Sequence, residues 1–86
     1  MRYIIFTFNV IHYESKILDA VKNRFAGERI TTIDGVKIDF DADRMWVHLR
    51  KSNTEPIIRI YSEAPTIEQA EELARRIKNI ADQIIG

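Results

Sequence analysis

The sequence predicts an α+β fold in which two helices pack on one face of an antiparallel sheet of four or five strands. Three observations lead to this prediction. Several short runs alternate apolar and polar residues, which is typical of strands with one buried face. Two longer segments carry apolar residues at three- and four-residue steps, as amphipathic helices do, and an Asp-Gly pair marks a tight turn. The predicted order is β-α-β-β-β-β-α, and one-sided packing buries all the apolar faces together.

The strands are predicted from the alternation and from the turns between them. In the first strand every second residue is apolar. Pro56 precedes the last strand, where the missing backbone N–H of proline costs little stability because no ladder hydrogen bond needs it. The Asp34-Gly35 pair tolerates positive φ angles, so the runs on either side of it should form a hairpin. The five strands are predicted at Tyr3–Ile11, Ile30–Ile33, Val36–Phe40, Met45–Arg50 and Ile57–Glu63.

The two helices are predicted from apolar stripes and from their capping residues. The first spans about Glu14–Ala26, with Ser15 available as its N-cap. The second begins at a capping box formed by Thr66 and Gln69, and a continuous apolar stripe runs through residues 67–84. Both helices therefore have a face to bury on the sheet.

Length and composition predict one domain spanning residues 1–86. Hydrophobic residues make up 45% of the chain, which is enough for one core and too few for two. Lys plus Arg equals Asp plus Glu at 13 each, so no net charge attracts the chain to nucleic acid or to an anionic membrane. The N-terminal apolar run is too short and polar for a membrane span and lacks a signal-peptide cleavage site. Without cysteine there is no disulfide framework, and we expect a cytoplasmic location.

One stretch, "RKSNTEPIIRIYSEAP" from Arg50 to Pro65, concentrates hydrogen-bond donors between two predicted strands. It offers a guanidinium, two hydroxyls, an amide and several backbone N–H groups, which together suit a phosphate dianion. Strand alternation predicts that Arg50 and Arg59 lie on the same side of neighbouring strands. From these residues alone, an ordinary turn rich in Ser, Asn and Thr remains the alternative interpretation.

The segment "RKSNTEPIIRIYSEA", preceded by "IDGVKIDF" and "WVHLR", closely resembles the C-terminal domain of the α-D-phosphohexomutase family. This family comprises phosphomannomutases, phosphoglucomutases and phosphoglucosamine mutases, in which R-P-S-N-T-E-P or R-P-S-G-T-E-P forms a phosphate-binding loop. The resemblance runs from Asp34-Gly35 through the final helix, and the first strand and helix fit only in type. The fold expected for such a domain is TATA-box-binding-protein-like.

The resemblance implies which residues hold the non-transferring phosphate of a phosphosugar. Because the loop has Asn at its fourth position, this sequence is more similar to the mannose and glucose enzymes than to the phosphoglucosamine mutases, which usually carry Gly there. The implied phosphate ligands are Arg50, Ser52, Asn53 and Thr54.

Three further residues are assigned to the surroundings of that phosphate. Lys51 stands where the family usually has proline, which loosens the loop and adds a charge. Glu55 is repelled by phosphate, and its possible partners are Arg59, another domain or a sugar hydroxyl. Arg59 has two alternative roles, either a salt bridge on the sheet surface or support of the residues that bind the phosphate.

For the complete enzyme the resemblance implies transfer of a phosphoryl group between C1 and C6 of a hexose, through a phosphoserine and a bisphosphorylated sugar, with Mg²⁺. Neither the phosphoserine loop nor the sugar-recognition loop is found in this sequence. We therefore expect this chain alone to be inactive, with a phosphosugar and the other domains of the same enzyme as its partners, and to bind neither Mg²⁺ nor the hexose bisphosphate activator by itself.

Other polar features are interpreted as structural. "DFDADR", Asp39–Arg44, looks like the family's metal loop, but it lies between hairpin strands and has Phe in place of Gly, so a polar turn is predicted. His48 and Ser62 have no partners at ligand or triad spacing, so no metal ligand and no catalytic residue is predicted.

Trp46 and Tyr61 are predicted to lie on the sheet face that the helices leave uncovered. Such aromatic residues suit base stacking in sheet-based RNA binders, and they equally suit contacts with a protein domain. The alternative function is therefore a non-enzymatic binding module that uses this open face for nucleic acid or protein. The zero net charge favours a protein contact, and we expect no nucleic acid partner.

Overall fold

The computed structural model describes residues 2–9, 13–51 and 57–85. They form one antiparallel sheet with the strand order β1-β5-β4-β3-β2, and two helices. The predicted fold class and element order are confirmed, with one short 3-10 helix, Asp41–Asp43, added between β3 and β4. The elements are β1 (Arg2–Asn9), α1 (Glu14–Arg24), β2 (Arg29–Thr31), β3 (Val36–Phe40), β4 (Met45–Lys51), β5 (Ile57–Ala64) and α2 (Ile67–Ile85).

The core lies between the helices and one face of the sheet. The strands alternate as predicted, so that every second side chain of β3, β4 and β5 is buried. The apolar stripes of α1 and α2 cover these side chains, and Phe25 packs edge-on against Phe40 with ring centroids 5.4 Å apart. Fully buried side chains of this core include Ile17, Val21, Ile38, Val47, Leu49, Ile58, Ile60, Leu73 and Ile77.

The start of α2 confirms the predicted capping residues. The Thr66 hydroxyl oxygen accepts a bond from the backbone N–H of Gln69 at 3.2 Å, and the hydroxyl donates to Gln69 Oε1 at 3.1 Å. The helix is also tied to the sheet at this end, because buried Ser62 on β5 donates its hydroxyl to the carbonyl of Ala70 at 2.8 Å. Ser62 therefore has a structural role at the start of α2.

The predicted cap of α1 is wrong. The backbone N–H of Ile17 bonds to the carbonyl of Tyr13 at 2.9 Å, so the helix starts at Glu14 and Tyr13 is its N-cap residue. Ser15 lies inside the first turn and is exposed. The helix also ends at Arg24, two residues before the predicted end at Ala26.

The hairpin between β2 and β3 forms, but with a longer loop than predicted. β2 ends at Thr31 and β3 begins at Val36, so residues 32–35 make the connection. Ile33 was predicted to be in the strand, yet it is 94% exposed. The predicted positive φ is found at Gly35, at 77°. Its backbone lies so close to β4 that an added Cβ would be 2.0 Å from the Leu49 carbonyl oxygen, and this close approach fixes the loop.

The "DFDADR" segment forms the predicted polar turn. Asp41 makes a bidentate ion pair with Arg29 on β2, with N···O distances of 2.8 and 3.0 Å. The Asp39 carboxylate oxygen Oδ1 lies 3.7 Å from Nη2 of Arg29 and 3.7 Å from Nζ of Lys37. Among the described residues no group of three or more His, Asp or Glu side chains is arranged to hold a metal ion. The same residues include no helix that is both long and apolar enough to cross a membrane.

The Arg29–Asp41 ion pair makes part of the stability depend on pH. The hydrogen bond from Arg29 lowers the pKa of Asp41 below its ordinary value of 3.8. A lowered pKa in the folded state means that the ion pair contributes stability above pH 3.8 and that this contribution is lost as the pH falls through the folded value.

The core predicts a large difference between two isoleucines. Ile77→Ala should lower the free energy of unfolding by about 2–5 kcal/mol, because it removes a fully buried side chain from α2. Ile33→Ala, in the exposed loop, should change it by less than about 0.5 kcal/mol. Urea denaturation followed by circular dichroism measures both, and equal losses in the two variants would contradict this description of the core.

A second prediction concerns Asp41. Asp41→Asn should be less stable than the unmodified chain at pH 7, and the difference should shrink below pH 3.8 and vanish once the pH has fallen through the lowered pKa of Asp41 in the folded state, where its carboxyl is neutral. Urea denaturation at pH 7 and at about pH 2 measures this. Asp43→Asn, which removes the same charge from the same turn, is the control. If Asp41→Asn is still less stable than the unmodified chain at the lower pH, the ion pair is not the cause of its lower free energy of unfolding.

Candidate phosphate-binding site

The donor-rich loop joins the ends of two central strands, β4 and β5. Ser52, Asn53, Thr54 and Glu55 lie outside the described residues. Of the predicted site residues, the structure therefore places Arg50 and Lys51 at the end of β4, and Arg59 near the start of β5. All three are exposed.

Arg50 and Arg59 lie directly opposite each other in the register of β4 and β5. Their neighbours Leu49, Ile58 and Ile60 are fully buried under the helices. Because side chains alternate along a strand, the two arginines lie on the opposite, open face of the sheet. The prediction that they share one side of neighbouring strands is confirmed.

This pairing brings two positive charges together at the entry to the loop. Like charges directly opposite each other on neighbouring strands are destabilising. Lys51, the next residue on β4, adds a third cation to the same end of the sheet. An anion bound at this end would relieve the repulsion, so the arrangement is suited to a ligand with more than one negative charge.

Asp34 also lies at this site, although its position in the sequence predicts only a turn. Its carboxylate oxygen Oδ2 lies 3.1 Å from Nε of Arg50, and the two side chains are 65% and 49% exposed. Asp34 was interpreted only as a turn residue. The contact follows from the register that places Val36 opposite Leu49, and this brings the hairpin loop beside the end of β4. The only signal in the sequence was the acidic residue in the Asp-Gly turn.

The backbone around Asp34 is held by neighbouring residues of β4. The imidazole Nε2 of His48 contacts the carbonyl oxygen of Asp34. Gly35 packs against the carbonyl of Leu49. His48 and Leu49 directly precede Arg50 on β4. The same short segment of β4 therefore contacts the Asp34 backbone and carries the Arg50 guanidinium.

The rest of the open face carries aromatic and charged side chains that contact one another. The indole N–H of Trp46 donates to Glu63 Oε1 at 3.3 Å, and Lys37 Nζ lies 4.9 Å from the centroid of the Trp46 ring. The rings of His48 and Tyr61 have centroids 6.4 Å apart and are half-buried. Trp46 and Tyr61 thus lie on the predicted face, and the Glu63 carboxylate beside Trp46 repels a nucleic acid backbone.

Comparison with known proteins shows the family of this chain. Residues 9–80 match the family model described as phosphoglucomutase/phosphomannomutase, C-terminal domain. A probable phosphoglucosamine mutase of Pyrococcus horikoshii is 44% identical over 71 residues, which cover 83% of this chain and 15% of that protein. A phosphoglucomutase/phosphomannomutase of Thermococcus kodakarensis is 56% identical over 61 residues, which cover 70% of this chain and 13% of that protein.

The chain therefore spans only about one seventh of the length of these relatives, 15% and 13%. The relatives' names include both a phosphoglucosamine mutase and a phosphoglucomutase/phosphomannomutase. The family match covers most of the chain and includes the donor-rich loop and the strands on either side of it. By this match, the chain belongs to the family of C-terminal domains of phosphoglucomutases and phosphomannomutases.

Proposed function

We propose that residues 1–86 form the phosphate-anchoring domain of a phosphohexomutase and that this domain holds the non-transferring phosphate of a phosphosugar. The observation that carries the proposal is the exposed, directly opposed pair Arg50 and Arg59 at the entry to the donor-rich loop. In this proposal Arg50 makes the charge-assisted bonds, and Ser52, Asn53 and Thr54 supply short neutral donors from the loop.

The remaining residues of the site have supporting roles in this proposal. Lys51 and Arg59 add positive charge around the phosphate without the geometry of a direct ligand. Glu55 serves another purpose, because a carboxylate is repelled by a phosphate dianion. The anchor therefore depends on Arg50 more than on any other charged side chain.

The contribution of such an anchor to catalysis is positional. Phosphoryl transfer depends mainly on holding the donor and the acceptor in line, and on stabilising charge. An anchor that recognises only the remote phosphate holds the sugar in place while a phosphoserine elsewhere in the enzyme exchanges a phosphoryl group with C1 or C6. The same anchor serves both ends of the substrate after it reorients, and this chain alone is inactive.

Magnesium and the hexose bisphosphate belong, in this proposal, to the other domains of a cytoplasmic enzyme. The carboxylates of Asp39 and Asp41 face Arg29 and do not fit a cation site. The chain therefore supplies binding and orientation, and the metal chemistry lies outside it.

The alternative function is a binding module that uses the open face around Trp46 and Tyr61. It is less well supported, because Glu63 and Asp39 place negative charge on this face. It predicts a different set of perturbed residues when ligands are added, so one titration separates the two proposals.

Arg50→Ala is the direct test of the phosphate anchor. In the ¹⁵N-labelled chain, glucose 6-phosphate should shift the backbone signals of residues 50–54. Arg50→Ala should raise the dissociation constant about ten- to a hundredfold, since it removes charge-assisted hydrogen bonds worth about 1.5–3 kcal/mol. Nuclear magnetic resonance titration measures both effects.

Two controls make this titration decisive. Arg75→Ala removes an exposed arginine from α2, on the other side of the sheet, and should leave the affinity unchanged. Single-stranded RNA is the competing ligand. Shifts confined to Trp46 and Tyr61 on adding RNA, with none on adding the sugar phosphate, would replace the anchor with the binding-module proposal.

A further prediction follows from an anchor that recognises only the phosphate. Glucose 6-phosphate, mannose 6-phosphate and glucosamine 6-phosphate should bind this chain with similar affinity, because their differences lie away from the phosphate. Unphosphorylated glucose should cause no shifts in residues 50–54. A strong preference for one of the three hexose phosphates would mean that the chain also contacts the sugar ring, contrary to this prediction.

A further inference from the structure

We propose that Asp34 is a positioning residue for the phosphate anchor. Its carboxylate holds the Arg50 guanidinium at Nε and leaves the two terminal amino groups to bind the phosphate. The inference rests on the proposed function and adds a residue that neither the donor-rich loop nor the resemblance assigned.

The geometry of the ion pair carries this proposal. The contact joins Asp34 Oδ2 to Nε of Arg50 at 3.1 Å. A guanidinium has five N–H donors, of which one is on Nε and four are on the terminal nitrogens. A carboxylate at Nε therefore leaves the terminal pair, which is suited to bidentate binding of a phosphate.

Asp34 holds Arg50 from a fixed position. Gly35, the next residue, adopts a φ of 77° and lies against the Leu49 carbonyl, where no Cβ fits. The carbonyl of Asp34 contacts the His48 imidazole. After Gly35 the chain enters β3 at Val36, which is 4% exposed and opposite Leu49. The backbone from the Asp34 carbonyl to Val36 therefore lies against β4.

The ion pair also offsets part of the repulsion between the two arginines. Arg59 lies directly opposite Arg50, and an unrestrained Arg50 side chain would move away from it into solvent. Because the ion pair restrains the Arg50 side chain before a ligand binds, less conformational entropy is lost on binding. The charge on Asp34 repels phosphate, and this opposing effect is screened by salt because the carboxylate is exposed.

A double-mutant cycle between Asp34 and Arg50 tests the proposal. The dissociation constant of glucose 6-phosphate is measured for the 86-residue chain, for Asp34→Ala, for Arg50→Ala and for the double variant, at about 0.15 M salt. Asp34→Ala should weaken binding about three- to tenfold, which is the effect expected from freeing one flexible side chain. In the Arg50→Ala background the same change should have no effect.

A spectroscopic signal distinguishes positioning from a general effect on the fold. The ¹H–¹⁵N signal of Arg50 Nε should shift in Asp34→Ala while the thermal midpoint of unfolding stays close to that of the unmodified chain. Asp34→Asn keeps a polar oxygen beside Nε of Arg50, so this variant should bind glucose 6-phosphate more tightly than Asp34→Ala does. It also serves as the test variant if Asp34→Ala fails to fold.

Asp82→Ala is the matched control, because it removes a carboxylate paired with Lys78 on α2, away from the site. It should not change the affinity. Unchanged or tighter binding in Asp34→Ala would overturn the inference, and so would an equal loss in the Arg50→Ala background. If Arg50→Ala itself leaves the affinity unchanged, the proposed function fails, and this result is distinguishable from failure of the inference alone.

Discussion

The pairing of β4 with β5 determines the position of both the core and the candidate site. Leu49 and Ile60 pair across these strands and are fully buried under the helices. A shift of the register by one residue would exchange the two faces of a strand. It would expose the apolar side chains and bring Arg50 or Arg59 into the core. Burial of the apolar face therefore fixes the two guanidinium groups on the open face.

A second constraint acts at the hairpin loop between β2 and β3. The loop lies against the end of β4, because Gly35 has no side chain to keep it away from the Leu49 carbonyl. This contact brings Asp34 within 3.1 Å of Arg50, although the two residues are far apart in the sequence. The hairpin loop between β2 and β3 therefore lies beside the end of β4, and its Asp34 carboxylate contacts the Arg50 side chain.

Local patterns in the sequence predicted most of the fold. The alternation in β3, β4 and β5 and the stripe of α2 identify these elements, because each pattern directly reports which side chains are buried. The start of α1 was predicted, but its cap residue was not, because Tyr13 precedes the helix without a side-chain cap hydrogen bond. Ile33 was placed in a strand because its apolar character fits one, whereas the register leaves it in the loop.

The candidate site was predictable only in part, for a related reason. The shared side of Arg50 and Arg59 follows from alternation along two strands. The contact between Asp34 and Arg50 depends on the relative position of a loop and a strand, and so does the ion pair of Arg29 and Asp41. Such long-range pairs require the three-dimensional register, which residue spacing alone does not give.

The exposure of the candidate site limits how strongly this chain alone could hold an anion. The Arg50 side chain is 49% exposed, so its interaction with an anion is weakened by water and by salt. A charge-assisted bond becomes stronger when a second surface covers the ligand and removes water. A small sheet domain has no room to enclose a sugar phosphate by itself. Under the proposed function, the anchor would therefore contribute most where another surface of a longer protein covers the ligand, and the relatives are much longer, since the matched segments make up 13–15% of them.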